Sequence, residues 1–336
     1  TAQTTGSRNV AIGHAALDAV TTSIKNVGVG MDALGGLTTA DGYNTAVGNG
    51  AGLALTTGSY NIAIGSSTLT ASTTAHYNTA VGYRALEDTT TGASNVAVGY
   101  LALAENTTGV QNVAVGDNAM FAHLTGSYNV SVGKNSLIAS TTGASNVAVG
   151  YGALEAMTTG HSCIAVGRDC GASITTATNN IMLGKDAGTS GTPGGAITTA
   201  SNLICLGDEN IGTANIQVDW TVASDARDKT DVEPLKTGLS FINQLEPITY
   251  RWDKRSKYSD NQNVSPDGTH KEDWLDTGFL AQAVEKLEEE YGYQMSDKTN
   301  LTTTLSEDGK MYGLTYSKFI PSLVKAIQEL SAEVEK

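Results

Sequence analysis

Ser224 and Lys229 are the residues whose types and spacing could do chemistry in this chain. A serine hydroxyl becomes a nucleophile when a base takes its proton, and an uncharged lysine can act as that base. The two residues open and close the hexamer SDARDK at positions 224–229. An ordinary lysine has a pKa of about 10.4, so burial must lower the pKa of Lys229 before it can accept a proton. Under that condition the pair could cut a peptide bond.

Acidic neighbours complicate this chemistry. Asp225, Asp228 and Asp231 would each hold Lys229 in its charged form if they faced it. We expect them to point away or to pair with Arg227, so that Asp225 and Arg227 support the loop. A tight pair between Asp228 and Lys229 would defeat the role of the lysine as a base.

The hexamer lies at an abrupt change in composition. Residues 1–223 hold 19 charged residues (13 acidic, 6 basic), whereas residues 224–336 hold 35 (21 acidic, 14 basic). Of the 38 glycines, 32 precede residue 224. We therefore predict a repetitive part over 1–207, a connector over 208–223 and a second domain over 224–336. Each side of residue 224 carries a net charge of −7, which argues against nucleic-acid binding. The chain has no long apolar run, so we predict no membrane insertion.

One phrase, Asn-x-Ala-Val-Gly with variations, recurs through the first part of the chain. Its closing glycines are 17 residues apart, except for one step of 18 and a last step of 23. They are Gly13, Gly30, Gly48, Gly65, Gly82, Gly99, Gly116, Gly133, Gly150, Gly167, Gly184 and Gly207. Such a period predicts a solenoid, here a stacked β-roll or β-solenoid of short coils.

Each coil is predicted to begin with one short strand. In Val147-Ala148-Val149 the branched residues share one face and alanine takes the other. The closing glycine then permits a turn that a side chain would obstruct. An apolar pair such as Ala153-Leu154 and a Thr-Thr-Gly turn follow. Few large hydrophobic residues are present, so we expect several chains to pack around an axis.

The outward positions of the coils allow two interpretations, a stiff rod or a receptor-binding surface. Seven tyrosines recur at repeat positions and could stack on sugars or pack from coil to coil. They are Tyr43, Tyr60, Tyr77, Tyr83, Tyr100, Tyr128 and Tyr151. Two further sets of residues, the histidines and the cysteines, do not have the spacing of metal or cofactor ligands. The histidines His14, His76, His123 and His161 are interpreted as surface or turn residues, and Cys163, Cys170 and Cys205 as small buried hydrophobes.

Residues 224–336 are predicted to form an α+β domain. We expect a helix over 234–245, a strand over 247–252, a helix from 278 or 279 to 291 capped by Thr277, and a strand over 310–316. The last helix begins near Ser317. Its apolar residues have the 3-4 spacing of a coiled coil, and they could form a seam with other chains or pack on their own domain. They are Ile320, Leu323, Ile327, Leu330 and Val334.

Both parts resemble known families. The repeats are similar to the β-roll heads of trimeric autotransporter adhesins and to repeats of phage tail fibres. The segments 224–229, 245–252 and 278–284, followed by the closing helix, resemble the intramolecular chaperone domain of phage endosialidases, tail spikes and tail fibres. This resemblance implies that the chain cleaves itself once, between Ala223 and Ser224, with Ser224 as the nucleophile and Lys229 as the general base.

The expected function is that of a homotrimeric viral tail fibre or spike, assembled in the host cytoplasm and carried on the virion. Its partners would be a host cell-surface receptor, with carbohydrate as one candidate, and other virion tail proteins. The alternative is a bacterial trimeric surface adhesin without catalytic activity. A carbohydrate-degrading spike would need paired carboxylates. The neighbouring acidic pairs before the junction, Glu87-Asp88 and Asp208-Glu209, are typical of turns.

Overall fold

The computed structural model describes residues 5–39, 42–189, 192, 195–217, 220–258 and 264–335. The chain divides into two compact units. The first ends at Asp208, and the second begins at Glu209 and also includes Gly195. Within the described residues, no helix combines the length and the hydropathy needed to cross a membrane.

The first unit is a β-solenoid whose strands form one parallel sheet of 12 strands in sequential order. The strands are β1 Val10–Ile12, β2 Val27–Val29, β3 Thr45–Val47, β4 Ile62–Ile64, β5 Thr79–Val81, β6 Val96–Val98, β7 Val113–Val115, β8 Val130–Val132, β9 Val147–Val149, β10 Ile164–Val166, β11 Ile181–Leu183 and β12 Ile204–Leu206. Each strand pairs with the next one repeat away, as in the partners Ala97 and Ala114. The predicted solenoid is confirmed.

The two faces of each strand have different environments. The middle residue points into the solenoid, where Ala97 and Ala148 are fully buried. Its neighbours point outward, and 36% of Val98 remains exposed. The apolar pair Ala153 and Leu154 is also fully buried in the solenoid core. The interior is therefore narrow and lined by small residues, with one or two larger side chains from each coil.

The closing glycines allow consecutive coils to approach closely. Gly99 adopts φ +141°, and a Cβ there would lie 2.3 Å from the carbonyl oxygen of Gly116 in the next coil. Backbone conformation and space both exclude a side chain at this position. The repeated glycine is thus explained by coil stacking.

Asparagines form a ladder along the interior that the repeat pattern alone did not predict. Asn95 Oδ1 accepts the backbone N–H of Asn112 in the next coil at 2.9 Å, and Asn95 Nδ2 donates to the Gly109 carbonyl at 2.9 Å. The same arrangement satisfies buried backbone groups in most coils. Its members are Asn9, Asn26, Asn44, Asn61, Asn78, Asn95, Asn112, Asn129, Asn146 and Asn180.

Two predictions about single side chains have different outcomes. The three cysteines are free and buried, as predicted. The interpretation of His123 as a surface or turn residue is wrong, because its side chain is fully buried in the solenoid. There its Nδ1 lies 3.2 Å from Ser140 Oγ and its Nε2 lies 3.3 Å from Asn129 Nδ2. Two polar partners allow the ring to be buried.

Five of the repeated tyrosines stack from coil to coil. The rings of Tyr43 and Tyr60 are 4.9 Å apart and those of Tyr60 and Tyr77 are 5.2 Å apart, both nearly parallel. Tyr83 and Tyr100 stack at 5.6 Å. Cross-coil packing is therefore present at these five positions, where the rings keep 42–61% of their surface exposed.

Over its described residues, the second unit contains three α-helices and two small antiparallel sheets. The helices are α1 Leu239–Ile242, α2 Ala281–Glu290 and α3 Phe319–Val334, and the strand pairs are β13 Ile248–Tyr250 with β14 Asp276–Gly278, and β15 Thr303–Leu305 with β16 Tyr312–Leu314. The first helix is far shorter than predicted. The predicted cap Thr277 is wrong, because this residue lies in β14 and α2 begins after Leu280. Strands β14 and β15 were not predicted.

A small apolar core and a few buried polar contacts hold the second unit together. Phe241, Val284, Leu287 and Phe319 form the core. The buried Glu288 carboxylate on α2 accepts hydrogen bonds from the backbone N–H of Thr302 and from Thr303 Oγ1, both at 2.7 Å. These contacts attach β15 to α2.

Candidate active site

A short 3-10 turn, Ala226–Asp228, positions the two predicted catalytic side chains. Asp225 lies at its N-cap, and its carboxylate accepts the backbone N–H of Arg227 at 2.9 Å. Lys229 lies at the C-cap, with its own N–H bonded to the Ala226 carbonyl. An aspartate is a favoured N-cap because its oxygen satisfies an otherwise unpaired N–H. The turn therefore brings the chain back on itself between Ser224 and Lys229.

Across this turn, Lys229 Nζ lies 2.6 Å from Ser224 Oγ. In the charged lysine the ammonium donates to the hydroxyl oxygen. In the neutral lysine the same contact reverses, and the hydroxyl donates to the nitrogen lone pair. A nucleophile and its base need contact at about 2.6–3.2 Å for proton transfer. The geometry thus suits removal of the Ser224 proton.

Of the two acidic residues in the hexamer, Asp225 is engaged away from Lys229. Asp225 forms a two-pronged ion pair with Arg227, with Nη2 2.6 Å and Nε 3.1 Å from its carboxylate oxygens. The hydrogen bonds from Arg227 lower the pKa of the Asp225 carboxyl. Among the residues that the structure describes, no carboxylate forms an ion pair with Lys229. Asp231 instead accepts a hydrogen bond from Thr230 Oγ1 at 3.2 Å.

The site is open to solvent in the single chain. Residues 220–234, which include Ala223, Ser224 and Lys229, are all exposed. A neutral lysine is favoured by removal from water. The turn supplies the distance between base and nucleophile, but the single chain does not bury the pair.

Comparison with known proteins matches residues 224–293 to a peptidase family, S74, described as the chaperone of endosialidase. The match begins at Ser224, the first residue of the hexamer. No curated protein matches the chain. No solved structure matches it either.

The family match supports a self-cleaving peptidase role in general, and it supports an intramolecular chaperone after the repeats. The first unit contributes a solenoid of stacked coils with a 17-residue spacing. A repeated β-solenoid followed by a region similar to the chaperone of endosialidase fits a tail fibre-type protein.

Proposed function

We propose that this chain is a phage tail fibre or spike component that assembles as a homotrimer and cuts its own backbone between Ala223 and Ser224. The C-terminal domain templates the folding of three chains and is then separated from the rod. The observation that carries this proposal is the 2.6 Å contact of Lys229 Nζ with Ser224 Oγ at the start of the family match.

The proposed reaction begins when neutral Lys229 takes the proton of the Ser224 hydroxyl. Ser224 Oγ attacks the carbonyl carbon of Ala223, and a new oxygen–carbon bond forms. The bond from that carbon to the Ser224 nitrogen breaks, and the nitrogen receives the proton from the lysine. The product is an ester on the Ser224 side chain beside a free amine. Water hydrolyses the ester to a carboxylate on Ala223, which restores the hydroxyl and completes one turnover.

Assembly is proposed to complete the site. The exposure of both side chains in the single chain leaves room for neighbouring chains to cover them. Covering would remove water from Lys229 and favour its neutral form. Cleavage would then follow assembly, because the single chain leaves this lysine exposed to water.

Helix α3 supports the trimer. Its apolar residues at 3-4 spacing are exposed, with Ile320 at 58%, Ile327 at 67% and Val334 at 80%. The opposite face packs on its own unit, where Glu329 Oε2 accepts the Leu239 N–H at 2.7 Å. The exposed stripe has the spacing of a coiled-coil seam, so copies of the same helix are its proposed partners.

In this proposal the rod recognises a host cell-surface receptor, for which carbohydrate is one candidate. The chain assembles in the host cytoplasm, and other tail proteins hold it in the virion. The 12 strands of regular spacing support a stiff extended element. A bacterial surface adhesin without catalytic activity would need the same rod but no cut at Ser224.

The test compares wild type with Ser224→Ala and Lys229→Met after purification, with Lys271→Met as an exposed lysine control. Denaturing electrophoresis and intact mass should give a new N-terminus at Ser224 in wild type and in Lys271→Met. Ser224→Ala should remain whole. Loss of the general base should slow the cut by at least about 100-fold.

Hydroxylamine distinguishes the proposed ester from direct attack by water. If the ester forms, hydroxylamine converts the end of the rod fragment to a hydroxamic acid on Ala223. A Ser224→Ala chain that is cut as fast as wild type would refute the dyad. A wild-type chain that stays whole after assembly would refute self-cleavage.

A further inference from the structure

The outward face of the solenoid sheet is mostly apolar, although it is partly exposed to water. Each of the 12 strands contributes two outward residues. Thr45 and Thr79 are the polar ones, and all the others are valine, isoleucine or leucine. None is charged. Along the sheet, Ile62 and Ile64 are each 40% exposed and Val166 is also 40% exposed.

This face is long as well as apolar. Neighbouring strands lie about 4.8 Å apart, so 12 strands extend over about 53 Å. A strip of that length and about 10 Å wide covers roughly 500 Å², towards the upper end of the largest apolar patch on a typical monomer, about 300–600 Å² and often functional. A surface of this kind is typical of a region that another molecule covers.

We infer that the outward sheet face is the surface on which copies of this chain meet, with the strips of three chains packed around a common axis. This inference rests on the proposed homotrimer and names its interface. The partner must offer a flat apolar strip of equal length. A second copy does so at the same strand spacing, because every coil repeats the same two outward positions.

The borders of the strip agree with an interface that has an apolar centre and a polar rim. The residues directly after the closing glycines lie along one border. They include ion pairs between coils, Lys134 with Asp117 at 3.5 Å and Lys185 with Asp208 at 3.6 Å. Charged side chains thus occur beside the strip and not within it.

The experiment introduces a single cysteine into the full chain at Val98, at the centre of the strip. The control is Thr108→Cys, which is exposed and lies in a Thr-Thr-Gly turn of the same coil. The native cysteines are buried and serve as background in wild type. After mild oxidation and quenching, denaturing electrophoresis measures cross-linked chains, and native mass spectrometry measures the number of chains.

Val98→Cys should give at least about tenfold more cross-linked chains than Thr108→Cys, because a disulfide needs Cα atoms within about 7 Å. Val115→Cys, in the next coil, should repeat the result if the first variant folds poorly. Trimers that cross-link at neither strip position, or equally at Thr108, would overturn this interface while leaving the trimer intact. A single-chain mass for wild type would instead refute the homotrimer itself, and this interface with it.

Discussion

Cys163 interrupts the asparagine ladder of the solenoid. It stands where the coils on either side have Asn146 and Asn180. Its backbone N–H still donates to Asn146 Oδ1 at 2.9 Å, but its thiol reaches the Ala177 and His161 carbonyls only at 3.5 Å and 3.6 Å. Burial raises the pKa of this thiol, which stays protonated and is a weak hydrogen-bond donor. One coil therefore lacks an amide that its neighbours have.

Cys163→Asn is expected to stabilise the solenoid by about 1 kcal/mol, because the amide would make a full hydrogen bond to the Ala177 carbonyl and accept the next N–H. The midpoint of urea unfolding measures the change. The reciprocal variant Asn95→Cys should lower the free energy of unfolding by about 1–2 kcal/mol, since it leaves buried backbone groups without partners. A lower midpoint for Cys163→Asn would contradict this account.

The candidate site was predictable from the sequence in its residues and not in its surroundings. The hexamer predicted Ser224 and Lys229 as the catalytic residues. It also predicted Asp225 and Arg227 as residues that support the loop. The sequence left open where the acidic residues point. For Asp225, local backbone conformation decided this, because the 3-10 turn places its carboxylate on the N–H and guanidinium of Arg227. The contact between base and nucleophile depends on that turn.

At the scale of an element, the interior coil position that holds His123 is occupied by different residue types along the solenoid. Leu37 and Leu55 fill it in early coils, and Ser72, Thr89 and Asn106 follow in the coils before His123. All are buried to within 1%. Burial lowers the pKa of His123.

Acid should weaken the solenoid through His123. The folded chain binds this proton less readily than the unfolded chain, so stability is complete above the ordinary pKa of about 6.5 and falls as pH drops below it. Thermal unfolding at pH 7.5 and pH 5.5 measures the loss. His123→Asn, which repeats the residue type of Asn106 one coil earlier, should reduce the difference between the two pH values. An equal loss in both proteins would assign the effect to other groups.

Helix α3 illustrates what a periodic pattern can and cannot specify. The 3-4 spacing predicted an apolar stripe. It fitted a coiled coil with other chains and packing on the same domain equally well. The structure places Phe319, Ser322 and Ala326 against the second unit and leaves Ile327 and Leu330 exposed. The side that packs internally carries the smaller or polar residues after Phe319, so the stripe itself is available to another chain.

At the scale of the whole molecule, α3 is expected to control the number of chains. Ile327→Lys in the uncleaved Ser224→Ala background should weaken trimer formation by at least about tenfold, because burying an isoleucine stabilises by roughly 1.5–3 kcal/mol. Light scattering after size-exclusion chromatography gives the mass. Gln328→Lys adds the same charge at an exposed position beside the stripe and should leave the trimer unchanged. Unaltered trimers of Ile327→Lys would show that the seam is not used.

A chaperone suits a rod of this design. Every coil presents nearly the same outward pair, so a slip of one repeat between chains exposes little additional apolar surface. Long-range pairing of this kind is slow and prone to aggregation. A domain that aligns three chains at one end would select the register before the strips close, and its removal would trap the finished rod kinetically.

The sequence by itself determined the solenoid, its period and the pair Ser224 and Lys229, because these depend on local spacing and on residue type. Only the tertiary structure decided which strand face is buried, that His123 is interior and that the asparagines form a ladder. Those outcomes depend on contacts between residues one coil apart. A period in the sequence fixes that coils repeat, and their stacking decides which atoms meet.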